Sequence, residues 1–171
     1  MTPVQLVADT NVLSYIFNRA ALGIAYEELI GSKSVGITGY SIAELRAGVV
    51  MARWGERRRA EHSRFVDEFS HVADTREMAE VCGTIRGMRF RVGRPIEWAD
   101  AWAAACAMCL DVPLVTHDRD HERIPGLRVL TVHNEWRVRE TDRDAFESGP
   151  LLLSEGPSRS LALRACGPAH Q

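Results

Sequence analysis

Four carboxylates, Asp9, Glu44, Asp100 and Asp118, stand where acids from distant parts of the chain can converge. Convergence matters because hard divalent cations such as Mg2+ and Mn2+ prefer oxygen ligands. Two such ions can activate water and stabilise the leaving oxygen when a phosphodiester is cleaved. Each acid also has an ordinary reading. Asp9 follows the apolar run Val4–Ala8, so it stands at a strand's carboxyl end, where a helix N-cap would equally place an Asp. Glu44, in Ser41-Ile42-Ala43-Glu44-Leu45-Arg46-Ala47-Gly48, is offset from the apolar stripe of Ile42, Leu45 and Val49 and can face a cleft. The alternatives are a capping carboxylate or a surface ion pair. Asp100 lies in the first turn of a strongly apolar helix, where the helix dipole alone favours an acid. Asp118 follows a strand in Thr116-His117-Asp118-Arg119-Asp120, a loop in which turn-forming Asp residues are expected and Asp120 competes for the same role. Individually the four are unremarkable. Together, two follow strand ends and two sit near helix starts, which are neighbouring places in a parallel α/β sheet.

Other reactive side chains organise less well. His117 and His121 flank the acids of that loop, a pattern that would suit zinc, but no further histidine or cysteine cluster has ligand spacing. Cys106-x-x-Cys109 lacks a second pair and shares one face of an alanine-rich helix, so its thiols are expected in the core. No Ser–His or Cys–His arrangement offers a covalent nucleophile. Arg86, Arg89, Arg91 and Arg94 gather just before Pro95, close in sequence to Asp100. They read either as a solvated helix face or as phosphate contacts, with Arg86 and Arg89 the candidates for RNA. Arg57-Arg58-Arg59 reads as solvated. Trp54, Trp98, Trp102 and Trp136 read as packing residues.

The elements that must position the acids follow from periodicity. Short apolar runs at Val4–Ala8, Ser34–Thr38, around Val72, Val112–Thr116 and Leu127–Val132 predict five strands. Helices are predicted from Asn11, over Ala20–Ile30, Ser41–Ala52, Arg57–Phe69, Glu77–Phe90 and Glu97–Leu110. In the last, Ala99, Trp102, Ala103, Cys106, Ala107 and Leu110 make a continuous stripe. Ser41 and Glu44 have capping-box spacing. Strands alternating with helices predict a three-layer α/β/α fold with a parallel sheet of about five strands. The expected domain spans 1–138. Beyond it, charged residues dominate Arg139–Glu147 and three Gly-Pro pairs follow, so 139–171 reads as a largely disordered tail.

Composition narrows the class. In 171 residues, 46% are hydrophobic and 26% charged, a globular balance. A net charge of −2 excludes a protein that binds nucleic acid by bulk charge. Lys33 is the only lysine. Arg suits bidentate phosphate contacts, although a GC-rich genome produces the same bias. The N-terminus has no basic region and Asp9 interrupts its apolar run, so no secretory signal is read. The longest apolar run, Ala101–Leu110, is too short for a membrane span. A cytoplasmic location with reduced cysteines is the expectation.

Four segments in order resemble the motifs of PIN-domain proteins, and specifically of VapC-type toxins: Leu6–Leu13, Ser41–Gly48, Asp100–Ala107 and Leu114–His121, with Ile124-Pro125-Gly126-Leu127 also family-like. The resemblance covers about 4–136. It implies a PIN fold and a metal-dependent endoribonuclease. Mg2+ or Mn2+ would be held by Asp9 and Asp100, with Glu44 and Asp118 completing the acidic pocket. Thr10 or Asn11, and Thr116, would support those ligands. It further implies cleavage of tRNA or rRNA, a homodimer, and a cognate VapB-like antitoxin. The family often has an aromatic where His121 stands, and its pattern has no counterpart to the tail. Two other classes compete. A non-catalytic PIN module would bind RNA or a protein, but it would be free to lose the four acids. A small Mg2+-dependent phosphatase would want Asp-x-Asp after the first strand, where Asp9 is followed by Thr10-Asn11.

Overall fold

The computed structural model describes residues 3–132 and the backbone of 138–140. Its strands are the short apolar runs. Strands β1 (Leu6–Ala8), β2 (Val35–Ile37), β3 (Ser70–His71), β4 (Leu114–Val115), β5 (Val129–Val132) and β6 (Val138–Glu140) form one sheet in the order β3-β2-β1-β4-β5-β6. The first five run parallel, and β6 adds antiparallel to β5. The connecting helices are α1 (Thr10–Phe17), α2 (Ala21–Ile30), α3 (Gly39–Met51), α4 (Glu56–Val66), α5 (Arg76–Arg91) and α6 (Trp98–Cys109).

Because strand side chains alternate between faces, the sheet divides the core in two. Val7, Leu114 and Val129 join α5 and α6 on one side, with Met78, Cys82, Ile85 and the alanines of α6. Leu6, Ala8, Val35, Ile37 and Val115 join α1, α2 and α3 on the other, with Val12, Leu13, Tyr26 and Leu45. The three-layer architecture expected from sequence is therefore the one observed, its five parallel strands extended by one antiparallel strand. Ala101, Ala103, Ala104, Ala105, Cys106 and Ala107 are all buried, and these small side chains let α6 lie close to the sheet and to α5. Gly23 does the same between α1 and α2: a Cβ there would sit 2.1 Å from the Tyr15 carbonyl oxygen.

Local boundaries differ from the sequence expectation in instructive ways. Helix α3 starts at Gly39, because the Thr38 hydroxyl accepts the Ser41 amide hydrogen at 3.1 Å. The expected Ser41–Glu44 capping box is thereby displaced, and Glu44 is left for another partner. The third strand is Ser70–His71 rather than centred on Val72, although the Val72 amide still donates to the Ile37 carbonyl at 2.9 Å. Strand β6 spans the expected domain boundary at 138/139. Residues 141–171, and with them most of the expected tail, lie outside the described residues, as does Trp136. No helix among the described residues is long and apolar enough to cross a membrane.

Strand order sets the place of the site. From β1 the chain builds outward through β2 and β3, then returns to the other side of β1 with β4 and β5. The crevice beyond the carboxyl ends of β1 and β4 is the topological switch point, where open α/β sheets bind ligands.

Candidate active site

Asp9 leaves β1 into that crevice and is nearly fully buried. Its Oδ1 accepts the Thr10 amide hydrogen and its Oδ2 the Thr116 hydroxyl, both at 2.7 Å. It is also the N-cap residue of α1, so the two sequence readings of Asp9 coexist. Thr116 leaves β4 and accepts the Asp118 amide hydrogen on the same hydroxyl at 3.1 Å. One hydroxyl thus links the acids that follow the two central strands. Thr10 donates to Glu44 Oε2 at 2.7 Å, which draws the start of α3 into the same system. Asn11 Oδ1 lies 3.5 Å from the His117 amide.

Asp100 arrives from the first turn of α6, which opens at the same edge of the sheet because α6 feeds back into β4. Its carboxyl is pushed up to about 6, first by burial and then by the negative charge of Asp9. His121 opposes the rise, while Asp118 and Glu44 add to it. All four acids predicted from sequence therefore act in one electrostatic field. One carboxylate oxygen from each of Asp9 and Asp100 and a ring nitrogen of His121 lie within 4.8 Å of one another.

Asp118 and Asp120 have different partners. Asp118 Oδ1 accepts the Asp120 amide hydrogen at 2.9 Å, closing a turn that aims the two carboxylates differently. Asp120 faces Arg89, 3.2 Å from Nη2, and Arg123, 3.7 Å away. Asp118 is the one whose charge reaches Asp100.

Comparison with known proteins accords with this geometry. The family model described as PIN domain matches residues 6–127, most of the chain. The chain belongs to the PIN domain family. No curated protein matches it by sequence. Among solved structures, a DNA-bound VapBC from Salmonella typhimurium is 26% identical, with a TM-score of 0.65 over 78% of this chain and 99% of that one. VapBC-5 from Mycobacterium tuberculosis, of the VapBC family of toxin-antitoxin systems, is 25% identical, with a TM-score of 0.56 over 74% and 98%. VapBC2 from Rickettsia felis, bound to a DNA fragment from its promoter, shares the fold at 22% identity and a TM-score of 0.66, over 75% and 98%. The resemblance read from four sequence motifs is borne out.

Within this PIN domain, some sequence candidates lie elsewhere than expected. Arg89, a candidate RNA contact, is 5% exposed and faces Asp120 from inside the protein, so its guanidinium is turned away from solvent. Arg86 donates to the Ile96 carbonyl and stacks over Trp98 at 4.1 Å, with Trp98 half exposed. Trp102 is tied to Asp74 by a 2.8 Å hydrogen bond and packs against Tyr40. The two loop histidines part company. His117 Nδ1 lies 2.8 Å from the Tyr26 hydroxyl, which also reaches the ends of β4 and β5 through Thr116 and Thr131. His121 turns instead into the acids and is fully buried. Counting only histidines and cysteines hid it. The usable signal was its place three residues after Asp118, in the loop that already carried an acid of the site.

Proposed function

We propose that this PIN domain is the toxin of a VapBC-type pair, a metal-dependent endoribonuclease that hydrolyses tRNA or rRNA. The observation that carries the reading is the convergence of Asp9, Asp100, Asp118 and Glu44 at the switch point, where burial first and then the acidic neighbours push the Asp100 carboxyl up to about 6. Such a set is electrostatically unfavourable by itself and chemically complete for a divalent cation: the donors are oxygens, two come from buried or half-buried side chains, and their mutual repulsion is relieved by positive charge. Asp9 and Asp100 would hold Mg2+ or Mn2+, and Glu44 and Asp118 would complete the pocket. When bound, such an ion lowers the pKa of a water and counters charge on the phosphoryl oxygens and the departing 3′ oxygen.

This chain's own residues do the positioning. The Thr10 amide and the Thr116 hydroxyl each occupy one lone pair of Asp9, fixing its carboxylate plane while leaving a lone pair on each oxygen. The Thr10 hydroxyl does the same for Glu44. The Asp118 amide, held on Thr116, sets the direction of the fourth acid. Water adds at phosphorus, the bond to the 3′ oxygen breaks, and the products carry a 5′-phosphate and a 3′-hydroxyl. Of the two arginines proposed to contact RNA, Arg86 would meet a phosphate beside the half-exposed ring of Trp98.

The partner reading rests on a second observation. A groove of about 840 Å3 between α1, α2 and α4 contains none of the acids. Its floor includes Ile16, Phe17, Ile24, Phe65 and Phe69, and Arg19, Lys33, Glu61 and Glu68 line it too. An amphipathic segment of a VapB-like antitoxin would bury its apolar face there. A homodimer in the cytoplasm completes the reading by family analogy.

Expression in a permissive host, wild type against Asp9→Asn, followed by mapping of RNA 5′ ends, tests it. Growth arrest with new, discrete 5′-phosphate ends in the wild type alone is expected. Equal growth and equal end profiles would sink the toxin reading.

A further inference from the structure

The metal reading above leaves one buried side chain of the pocket unassigned. His121 sits on the short 3-10 turn that follows Asp118, and its ring is fully buried against the acids. Its hydrogen-bonding inventory is incomplete. Nε2 lies 3.3 Å from the Asp100 carbonyl oxygen, which can only accept, so this nitrogen carries an N–H. In the neutral ring, the form that ligates a metal, Nδ1 then presents a lone pair. The neighbour in reach is the Thr116 hydroxyl at 3.5 Å. That hydroxyl has one hydrogen, and Asp9 Oδ2, at 2.7 Å, takes it. The Nδ1 lone pair is therefore without a donor among the described residues, in a pocket where a ring nitrogen already lies within 4.8 Å of carboxylate oxygens from Asp9 and Asp100. The Nε2 bond is the second half of the pattern, since a histidine that ligates a metal characteristically gives its other ring N–H to a carbonyl or carboxylate, which fixes the ring.

We propose that His121 is a direct ligand, through Nδ1, of the ion held by Asp9 and Asp100, and that this nitrogen makes the site select Mn2+ over Mg2+. The inference rests on the metal reading and deepens it. Carboxylate, carbonyl and water oxygens suit both ions, whereas an imidazole nitrogen suits transition metals and adds little for Mg2+. The Asp100 carbonyl positions the ring. Phe at 121 would keep an aromatic of similar shape in the buried site and remove only the nitrogens.

Pulsed EPR on the full chain loaded with Mn2+ reads the bond directly. The wild type is expected to show strong 14N coupling from a coordinated imidazole, and His121→Phe to lack it. Calorimetry should show Mn2+ affinity falling about tenfold to a hundredfold in His121→Phe while Mg2+ affinity changes less than about threefold. Because the EPR measurement needs only the wild type, it decides even if His121→Phe folds poorly, and His121→Gln serves as the second variant. Tight Mn2+ binding without 14N coupling, or equal losses for both ions, would overturn the ligand assignment while leaving the metal reading standing. Absence of divalent-ion binding in the wild type, or binding unchanged by Asp9→Asn, would bring down the metal reading and this inference with it.

Discussion

At the scale of single residues, the pocket is a set of charges held against their own repulsion. Asp100 shows it most clearly. Its carboxyl titrates near 6 in the folded protein, against 3.8 for the free group. Between those values the folded chain holds the proton that the unfolded chain has lost. Stability is therefore lost as pH rises through that window, and the loss is complete above about pH 6. Asp100→Asn removes the effect. In the metal-free protein we expect it to raise stability by on the order of 1–2 kcal/mol at pH 7.5, a gain that shrinks toward pH 4. Denaturant titrations of both proteins at the two pH values check this, and the same variant should lose RNA cleavage by at least about a hundredfold. Asp118 and Asp120 separate in a similar way. Asp118→Asn should weaken divalent-ion binding severalfold with little effect on folding. Asp120→Asn leaves Arg89 buried without its counter-charge, so it should cost about 1–2 kcal/mol of stability and leave ion affinity nearly unchanged. Calorimetry paired with thermal melts distinguishes the two patterns.

At the scale of elements, the acids converge because short strands and small side chains let helices close on the sheet. The alanines of α6 are the tightest point, with Ala103, Ala104 and Ala105 at or near zero exposure between α5 and the sheet. Ala104→Leu forces extra methylenes into that layer and should destabilise by about 1–3 kcal/mol. Any relaxation displaces the α6 start that carries Asp100, so ion affinity should fall together with the urea midpoint. Elements were also where the sequence was most legible. Short apolar runs and helical stripes anticipated five parallel strands, the third offset from Val72 to Ser70–His71, and six helices. What they missed were the ends, where Thr38 rather than Ser41 caps α3, and the added strand β6. Both depend on hydrogen bonds that compete for the same amides, a choice that periodicity does not carry.

At the scale of the whole molecule, the proposed chemistry and the proposed partner recognition fall on separate faces. The four acids line the switch point, and the groove between α1, α2 and α4 shares none of them. Ile24 lines this groove and is 49% exposed. Ile24→Glu should therefore weaken capture by the co-expressed antitoxin by tenfold or more, about 1.4 kcal/mol or above. RNA cleavage by the isolated protein should stay within about twofold. Loss of cleavage together with partner binding would show that the two faces are not separate.

The division of labour between sequence and fold follows physical range. Asp9 after a strand, Glu44 and Asp100 in the first turns of helices, and the alternation of elements are local patterns, so the chain by itself carried the layers and nominated the four acids, while four motifs in order carried the resemblance to the family. Contacts made across the fold decided the rest. Tyr26, 91 residues from His117, holds that ring away from the acids, while His121 is left facing them. Arg89, on α5, draws Asp120 aside and leaves Asp118 as the acid that reaches Asp100. Which of two near-identical neighbours enters a site depends on partners distant in sequence, and only the tertiary structure brings those partners together.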